Sequence, residues 1–105
     1  MAERVFFLNT LKDGVDPLAY EDWIRRVDYP VARRQPAIVR YEVARIDGRL
    51  NSVDPSPCQY VEVIDVTSIE EYRRSLDGNP ELDALLAEWA EYVAESTIVY
   101  GPVIS

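Results

Sequence analysis

The sequence predicts an α+β fold built on one antiparallel sheet, and three observations predict it. Short runs of β-branched and aromatic residues alternate with polar ones, most clearly in Val39-Arg40-Tyr41-Glu42-Val43. Two pairs, Asp16-Pro17 and Asn79-Pro80, each place a capping side chain before a proline at the first helical position, ahead of a helical apolar stripe. The elements so marked follow one another in the order β-α-β-β-α-α-β, a single domain over residues 1–105.

The first strand is Arg4 to Leu11, closed by the turn signal Lys12-Asp13-Gly14. Tyr20, Trp23, Ile24 and Val27 then recur at i, i+3, i+4 and i+7, the period of one helix face. Pro30 lacks an N–H and restricts Tyr29, so this helix is expected to kink or end near Asp28, with a further turn over 31–35 before Pro36. Ile38 to Ile46 is the second strand, with Val39, Tyr41 and Val43 on one face and Arg40 and Glu42 on the other. Gly48 to Pro57 is a loop longer than an ordinary hairpin connection, a candidate lid or arm. A third strand follows over 58–66.

Ser68 and Glu71 form a capping box, and Gly78 closes the short helix they open. The next helix, from Asn79, bears the stripe Leu82, Leu85, Leu86, Trp89 and Val93. The last strand, 96–104, contains Pro102, which suits a sheet edge. Together these make a ferredoxin-like split βαβ with a four-stranded antiparallel sheet and its second helix broken in two. Helices on one face leave the other face bare. Phe6, Leu8, Val61, Val63, Ile98 and Ile104 are too apolar for that, so a second copy of the sheet is expected as cover, giving a homodimer.

Composition excludes several classes. Nineteen acids against eleven bases give a formal charge of -8, which repels nucleic-acid backbones and anionic membranes. No apolar run approaches the roughly 18 residues of a membrane span, and no charged-then-apolar leader opens the chain. The single cysteine, Cys58, makes no internal disulfide and suits a reducing cytoplasm, where it is expected as a small buried hydrophobe. There is no histidine, so acid–base work falls to Asp, Glu, Tyr, Lys or Cys. Four glycines and no phosphate-binding motif leave nucleotide and flavin chemistry unsupported; no cofactor and no metal are expected.

The block from Asp28 to Val43, DYPVARRQPAIVRYEV, resembles the first half of the dimeric α+β barrel superfamily: helix, proline, basic residues, second proline, then a strand with Tyr-x-Val. The broken second helix resembles that superfamily's second half, so the resemblance covers nearly the whole chain. Length, order and the W…DYPVARRQP block are similar to its RedY-like (HapK-like) branch, associated with biosynthesis of prodigiosin-type tripyrrole pigments. The superfamily includes cofactor-free monooxygenases, cyclases, isomerases and haem proteins, so the resemblance implies where a site lies more than what it does. In EthD-like members a histidine often precedes the first proline by two residues. Here that position is Asp28, which makes Asp28 the matching candidate base and speaks against histidine-dependent and haem chemistry.

The resemblance implies a cavity between sheet and helices. Asp28, if desolvated there, would titrate near neutrality, and Tyr29 beside it is the second candidate catalytic residue. Trp23, Tyr41 and Tyr60 are candidates to line a pocket for a flat aromatic molecule, with packing in the core as the alternative. Asn9, Arg40, Glu42 and Glu62 are polar residues inside apolar strands: Asn9 is a candidate oxyanion donor, Glu62 is a candidate polar floor, and Arg40 is expected to pair with Glu62 or with Glu42. Arg34, next to Arg33, would face the mouth or serve as surface counter-charge. Two functions are expected from these features: a cofactor-free cyclase, dehydratase or oxygenase acting on a pyrrole- or indole-type intermediate, or a non-catalytic dimer that delivers one.

Overall fold

The computed structural model describes residues 2–105. Strand β1 is Glu3–Leu11, helix α1 Pro17–Trp23, helix α2 Tyr29–Arg33, β2 Ile38–Arg45, β3 Tyr60–Val66, α3 Ile69–Leu76, α4 Pro80–Tyr92 and β4 Val93–Pro102. The strands lie in the order β2-β3-β1-β4 and every pairing is antiparallel, which is the ferredoxin-like arrangement the element order predicts. Pro102 does fall on an edge strand, where a missing N–H costs no ladder bond.

The helix caps form as their sequences specify. The Asp16 side chain accepts from the Leu18 N–H, Ser68 from Glu71 N–H and Asn79 from Leu82 N–H, each satisfying a donor that the helix itself leaves free. Gly78 takes φ of +60°, which lets the chain reverse between α3 and α4 without a Cβ clash.

The first helix departs from regular pitch just before Pro30, as expected, and it does so without ending. Residues Ile24–Asp28 form a π-helical turn that runs directly into α2, and the Tyr29 N–H reaches back to the Ile24 carbonyl. The wider turn accommodates the proline ring and its missing donor, where an α-helix would be blocked. Val93 belongs to β4 rather than to the helix stripe, because α4 ends at Tyr92 and Lys12 N–H caps that end through the Tyr92 carbonyl. A shift in register at the start of β2 also leaves Val39 bulged out and exposed, away from Tyr41 and Val43.

Alternate residues of β1 and β3 point to the helices: Val5, Phe7, Asn9 and Leu11 from one, Tyr60, Glu62, Ile64 and Val66 from the other. They divide the interior into two apolar clusters. One gathers Leu11, Tyr20, Trp23, Ile24, Tyr60, Leu82, Leu85 and Val93; the other Val5, Phe7, Ala32, Tyr41, Ile64, Val66 and Ile69. Arg40 and Glu62 lie on opposite sides of the sheet, so of the two pairings expected of Arg40 the one with Glu62 does not form. The one with Glu42 does, at 2.8 Å, and Asp65 lies 3.9 Å away.

Asn79 caps α4 and also donates to the Gln35 side chain at 3.1 Å and the Ser75 carbonyl at 3.2 Å, tying α2, α3 and α4 together. Asn79→Ala is therefore expected to lower unfolding free energy by about 1–2 kcal/mol, read from urea midpoints. Asn79→Asp, which restores the cap but neither other bond, should recover only part of that loss.

Candidate active site

Between the two apolar clusters, each of the four strands contributes one polar side chain to a connected belt. Ser96 of β4 donates to Asn9 Oδ1 at 2.6 Å; Asn9 of β1 donates through Nδ2 to Glu62 Oε2 at 2.5 Å. Glu62 of β3 faces the Tyr41 hydroxyl of β2 across 2.8 Å, and that hydroxyl lies 2.6 Å from Asp28 Oδ2. Trp89 of α4 adds its indole N–H to Glu62 Oε2 at 3.1 Å. Asn9, Asp28 and Glu62 are at most 4% exposed.

Counting protons fixes how this belt must be charged. A phenol has one proton, so Tyr41 can donate to one carboxyl only. With both carboxyls ionised, the second short O···O contact would set two electron-rich atoms against each other in a medium of low dielectric. The geometry therefore requires one carboxyl to hold a proton and donate it to the Tyr41 oxygen. Glu62 accepts from Asn9 and Trp89 as well as facing Tyr41, and three donors favour an anion. Asp28 has Tyr41 alone. The assignment that follows is Asp28 as carboxylic acid, Tyr41 as donor to Glu62, and Glu62 as carboxylate.

The energetics agree. Burial pushes Asp28 up to about 7, opposed by the bond to Tyr41 and reinforced by the charge of Glu62. Burial raises Glu62 too, against its three hydrogen bonds. The Tyr41 phenol is held well above its usual range by desolvation and by the two acids, so it stays protonated.

The π-helical turn brings Asp28 to this place. Its extra residue turns Asp28 onto the buried face just before α2 resumes the ordinary pitch. Around Asp28, Tyr41 and Glu62 lies an otherwise apolar cavity of about 50 Å³, walled by Phe7, Ile64, Leu82, Leu85 and Trp89 among others. That volume holds a few water molecules. Leu86, 40% exposed, marks its rim, and Tyr72, its phenol pushed up to about 12 by burial and the two acids, stands on the wall.

The structure thus brings together four of the eight residues singled out from the sequence: Asn9, Asp28, Tyr41 and Glu62. The other four lie elsewhere. Tyr29 backs the belt without joining it: its ring stands edge-on to Tyr41 with centroids 5.6 Å apart and lies under the Arg33 guanidinium, while its hydroxyl takes the Val43 N–H at 3.0 Å. Trp23 packs beside Tyr20 and Tyr92 in the core. Tyr60 bonds Glu21 at 2.7 Å beneath α1, and Arg34 pairs with Glu81 on α4 at 2.8 Å in the open. The loop over 48–57 adds nothing to the cavity wall.

Sequence reasoning missed Trp89 and Ser96 as members of the belt. Trp89 is legible as part of an apolar stripe, which says nothing of where its indole N–H points. Tyr20, legible as a stripe residue, encloses its hydroxyl near Asn9 without a hydrogen bond of good geometry, and its titration is pushed up by burial and by Glu62 and Asp28, against the influence of Asn9. Among the described residues, no cluster of three or more His, Cys, Asp or Glu side chains is spaced to hold a metal, and no helix is long and apolar enough to cross a membrane.

The fold and belt define a ferredoxin-like α+β domain with a buried acid pair on the helix side of its sheet. Residues 3–104 match the family described as REDY-like protein HapK, and the chain belongs to that family. HapK from Hahella chejuensis is similar to it with a TM-score of 0.81 and 24% identity, over 97% of this chain and 92% of that one. A dimeric ferredoxin-like protein from Thermobifida fusca shares 21% identity with a TM-score of 0.75, over 98% of this chain and 92% of its own. SnoaB from Streptomyces nogalater, a cofactor-independent oxygenase, superposes with a TM-score of 0.68 at 19% identity, over 99% of this chain and 94% of its own. No curated protein sequence matches the chain.

The raised Asp28 sets a pH dependence of stability. Below about pH 4 the group is protonated in both folded and unfolded chains, and its contribution is fully present. As pH rises to about 7 the unfolded chain loses the proton while the folded one keeps it, so up to about 4 kcal/mol is lost. Glu62, also raised, acts in the same direction. Urea midpoints at pH 5 and pH 8 should fall steeply for the wild type and much less for Asp28→Asn, which is expected to be the more stable of the two at pH 8.

Proposed function

We propose that the chain is an enzyme of secondary metabolism that performs acid–base chemistry, without a bound cofactor, on a small, flat, uncharged aromatic molecule. The observation supporting this most directly is Asp28 itself: a carboxyl that titrates near neutrality, shielded from water, at the wall of an apolar cavity and hydrogen-bonded to a phenol. Asp28 is the catalytic acid or base. Tyr41 passes a proton or orients the substrate, and Glu62, fixed by Asn9 and Trp89, sets the charge of the site. The REDY-like membership supports a pyrrole- or indole-type intermediate of prodigiosin-like pigment biosynthesis as substrate, with cyclisation, dehydration or oxygenation as the reaction.

A second reading, a binding or delivery protein for the same intermediate, draws on the apolar wall, which shields a ring whether or not it is converted. Turnover separates the two. Pyrrole, bipyrrole and indole intermediates offered with and without oxygen, and followed by liquid chromatography–mass spectrometry, are expected to be converted. Asp28→Asn should lower kcat by roughly 10²–10⁴, and the wild-type rate should fall as pH rises through about 7 if the acid form is the active one. Conversion undiminished in Asp28→Asn removes Asp28 from the chemistry, and binding without conversion favours delivery.

We also propose that the chain works as a homodimer in the cytoplasm. The sheet face away from the helices presents Phe6, Leu8, Val61 and Val63, half-buried in the single chain, with Val99 exposed beside them; a second sheet would bury them. The free Cys58 suits a reducing compartment. Light scattering should give twice the 12.0 kDa chain mass for the wild type, and Val63→Glu should give monomer.

A further inference from the structure

The charge of the cavity narrows the reaction, on the reading that Asp28 is its acid–base group. Two carboxyls border the cavity, and among the described residues neither Lys nor Arg lines it. The basic residues near α1 and α2 are all engaged elsewhere: Arg25 approaches Glu21, Arg26 bonds Asp22, Arg33 covers Tyr29 and bonds the Tyr41 carbonyl, and Arg34 bonds Glu81. The donors on Glu62 point at Glu62 and not into the cavity, so they stabilise the protein's own anion. A carboxylate, phosphate or enolate placed here would meet a buried negative charge with no counter-ion. A delocalised cation would meet that anion and the electron-rich faces of aromatic walls.

We propose that the site takes a neutral five-membered nitrogen heteroaromatic bearing a hydroxyl on the carbon next to the ring, and eliminates water through a ring-delocalised cation held by Glu62. The Asp28 carboxyl proton leaves its bond to the Tyr41 oxygen and passes to the leaving hydroxyl. The C–O bond breaks, its electron pair departs with the water, and the ring nitrogen lone pair fills the vacancy to give an iminium-type cation. The ring N–H proton then goes to the Asp28 carboxylate, restoring the acid. One water leaves, no electrons are exchanged with any other species, and Glu62 stays ionised throughout. Oxygen activation by a cofactor-free route requires electron donation from a substrate anion, which this charge pattern destabilises.

The test reads binding and so does not depend on turnover. The indole N–H resonance of Trp89, which reports on the cavity wall, is followed by NMR while 1,3-dimethylimidazolium, 1,3-dimethylpyrrole or 1-methylpyrrole-2-carboxylate is added to the whole protein at pH 7. The cation is expected to bind at least about tenfold tighter than its neutral isostere, and the carboxylate at least about tenfold weaker. Glu62→Gln should abolish the preference for the cation, whereas Asp28→Asn should keep it. A neutral isostere binding wild type as tightly as the cation, or a carboxylate binding as tightly as the neutral isostere, overturns the proposal whether or not either variant folds. A charge preference that holds while no hydroxylated intermediate loses water leaves Glu62 as the seat of a cation and overturns the elimination together with the enzymatic reading.

Discussion

A single phenol shared between two carboxyls is the constraint on which the rest of the interior depends. Tyr41 can neutralise one short contact but not two, so the fold must either keep a proton on Asp28 or tolerate repulsion at its centre. Every neighbouring choice follows from that requirement. Asn9 and Trp89 are spent on Glu62, which keeps the anion on the strand side. Ser96 holds the Asn9 oxygen, so that its nitrogen faces Glu62. The helix side receives apolar walls and no cation, which keeps Asp28 an acid. The belt is costly in desolvation. Apolar residues at the same positions would pack the two clusters into one continuous core, which makes the belt hard to explain by packing alone.

The sheet gives this belt its precision. Antiparallel ladders fix which residue of each strand faces the helices, and the register places Ser96 opposite Asn9 and Val43 opposite Glu62. Side chains from four strands thereby meet within hydrogen-bond reach without a loop being asked to hold any of them. Asp28 is the exception, delivered by a helix, and the helix must adopt a π turn to deliver it. A site whose groups stand on regular elements is held more tightly than one on loops, which matters where a 2.6 Å contact decides the position of a proton.

Most of the architecture was legible because it rests on local rules. Asp-Pro and Asn-Pro helix starts, the Ser68 cap and period-two strands act over a few residues, and the structure shows them, although Glu71 turns its carboxylate to the Thr67 hydroxyl and so leaves the capping box half made. The polar residues buried in strands were legible as anomalies: Asn9 and Glu62 stand out in runs of apolar neighbours. Their partners were not, because partnership depends on register. Arg40 read as a plausible partner of Glu62 as well as of Glu42, and only the register, which sets Arg40 opposite Asp65 and Val43 opposite Glu62, decides against Glu62. Tyr29 and Tyr60 are of the right chemical type in the wrong place: Tyr29 is one residue further around its helix, and Tyr60 is on the right face of its strand but two residues along it from Glu62. Proline at position 30 predicted a kink or an end because the ordinary α register cannot accept it; that the chain takes a wider turn and continues is a property of the packed state.

The π turn also bears on how such a protein changes over generations. It amounts to one residue more than an α-helix needs between Trp23 and Tyr29. Loss of one codon in that stretch would let the ordinary register resume and swing position 28 by about 100°, away from Tyr41, while the caps, the sheet and both apolar clusters keep their own local determinants. The buried acid pair and the fold are in this way encoded separately. A lineage could take Asp28 out of the belt and keep the pocket, or restore it, through a single in-frame insertion or deletion and no change to the sheet.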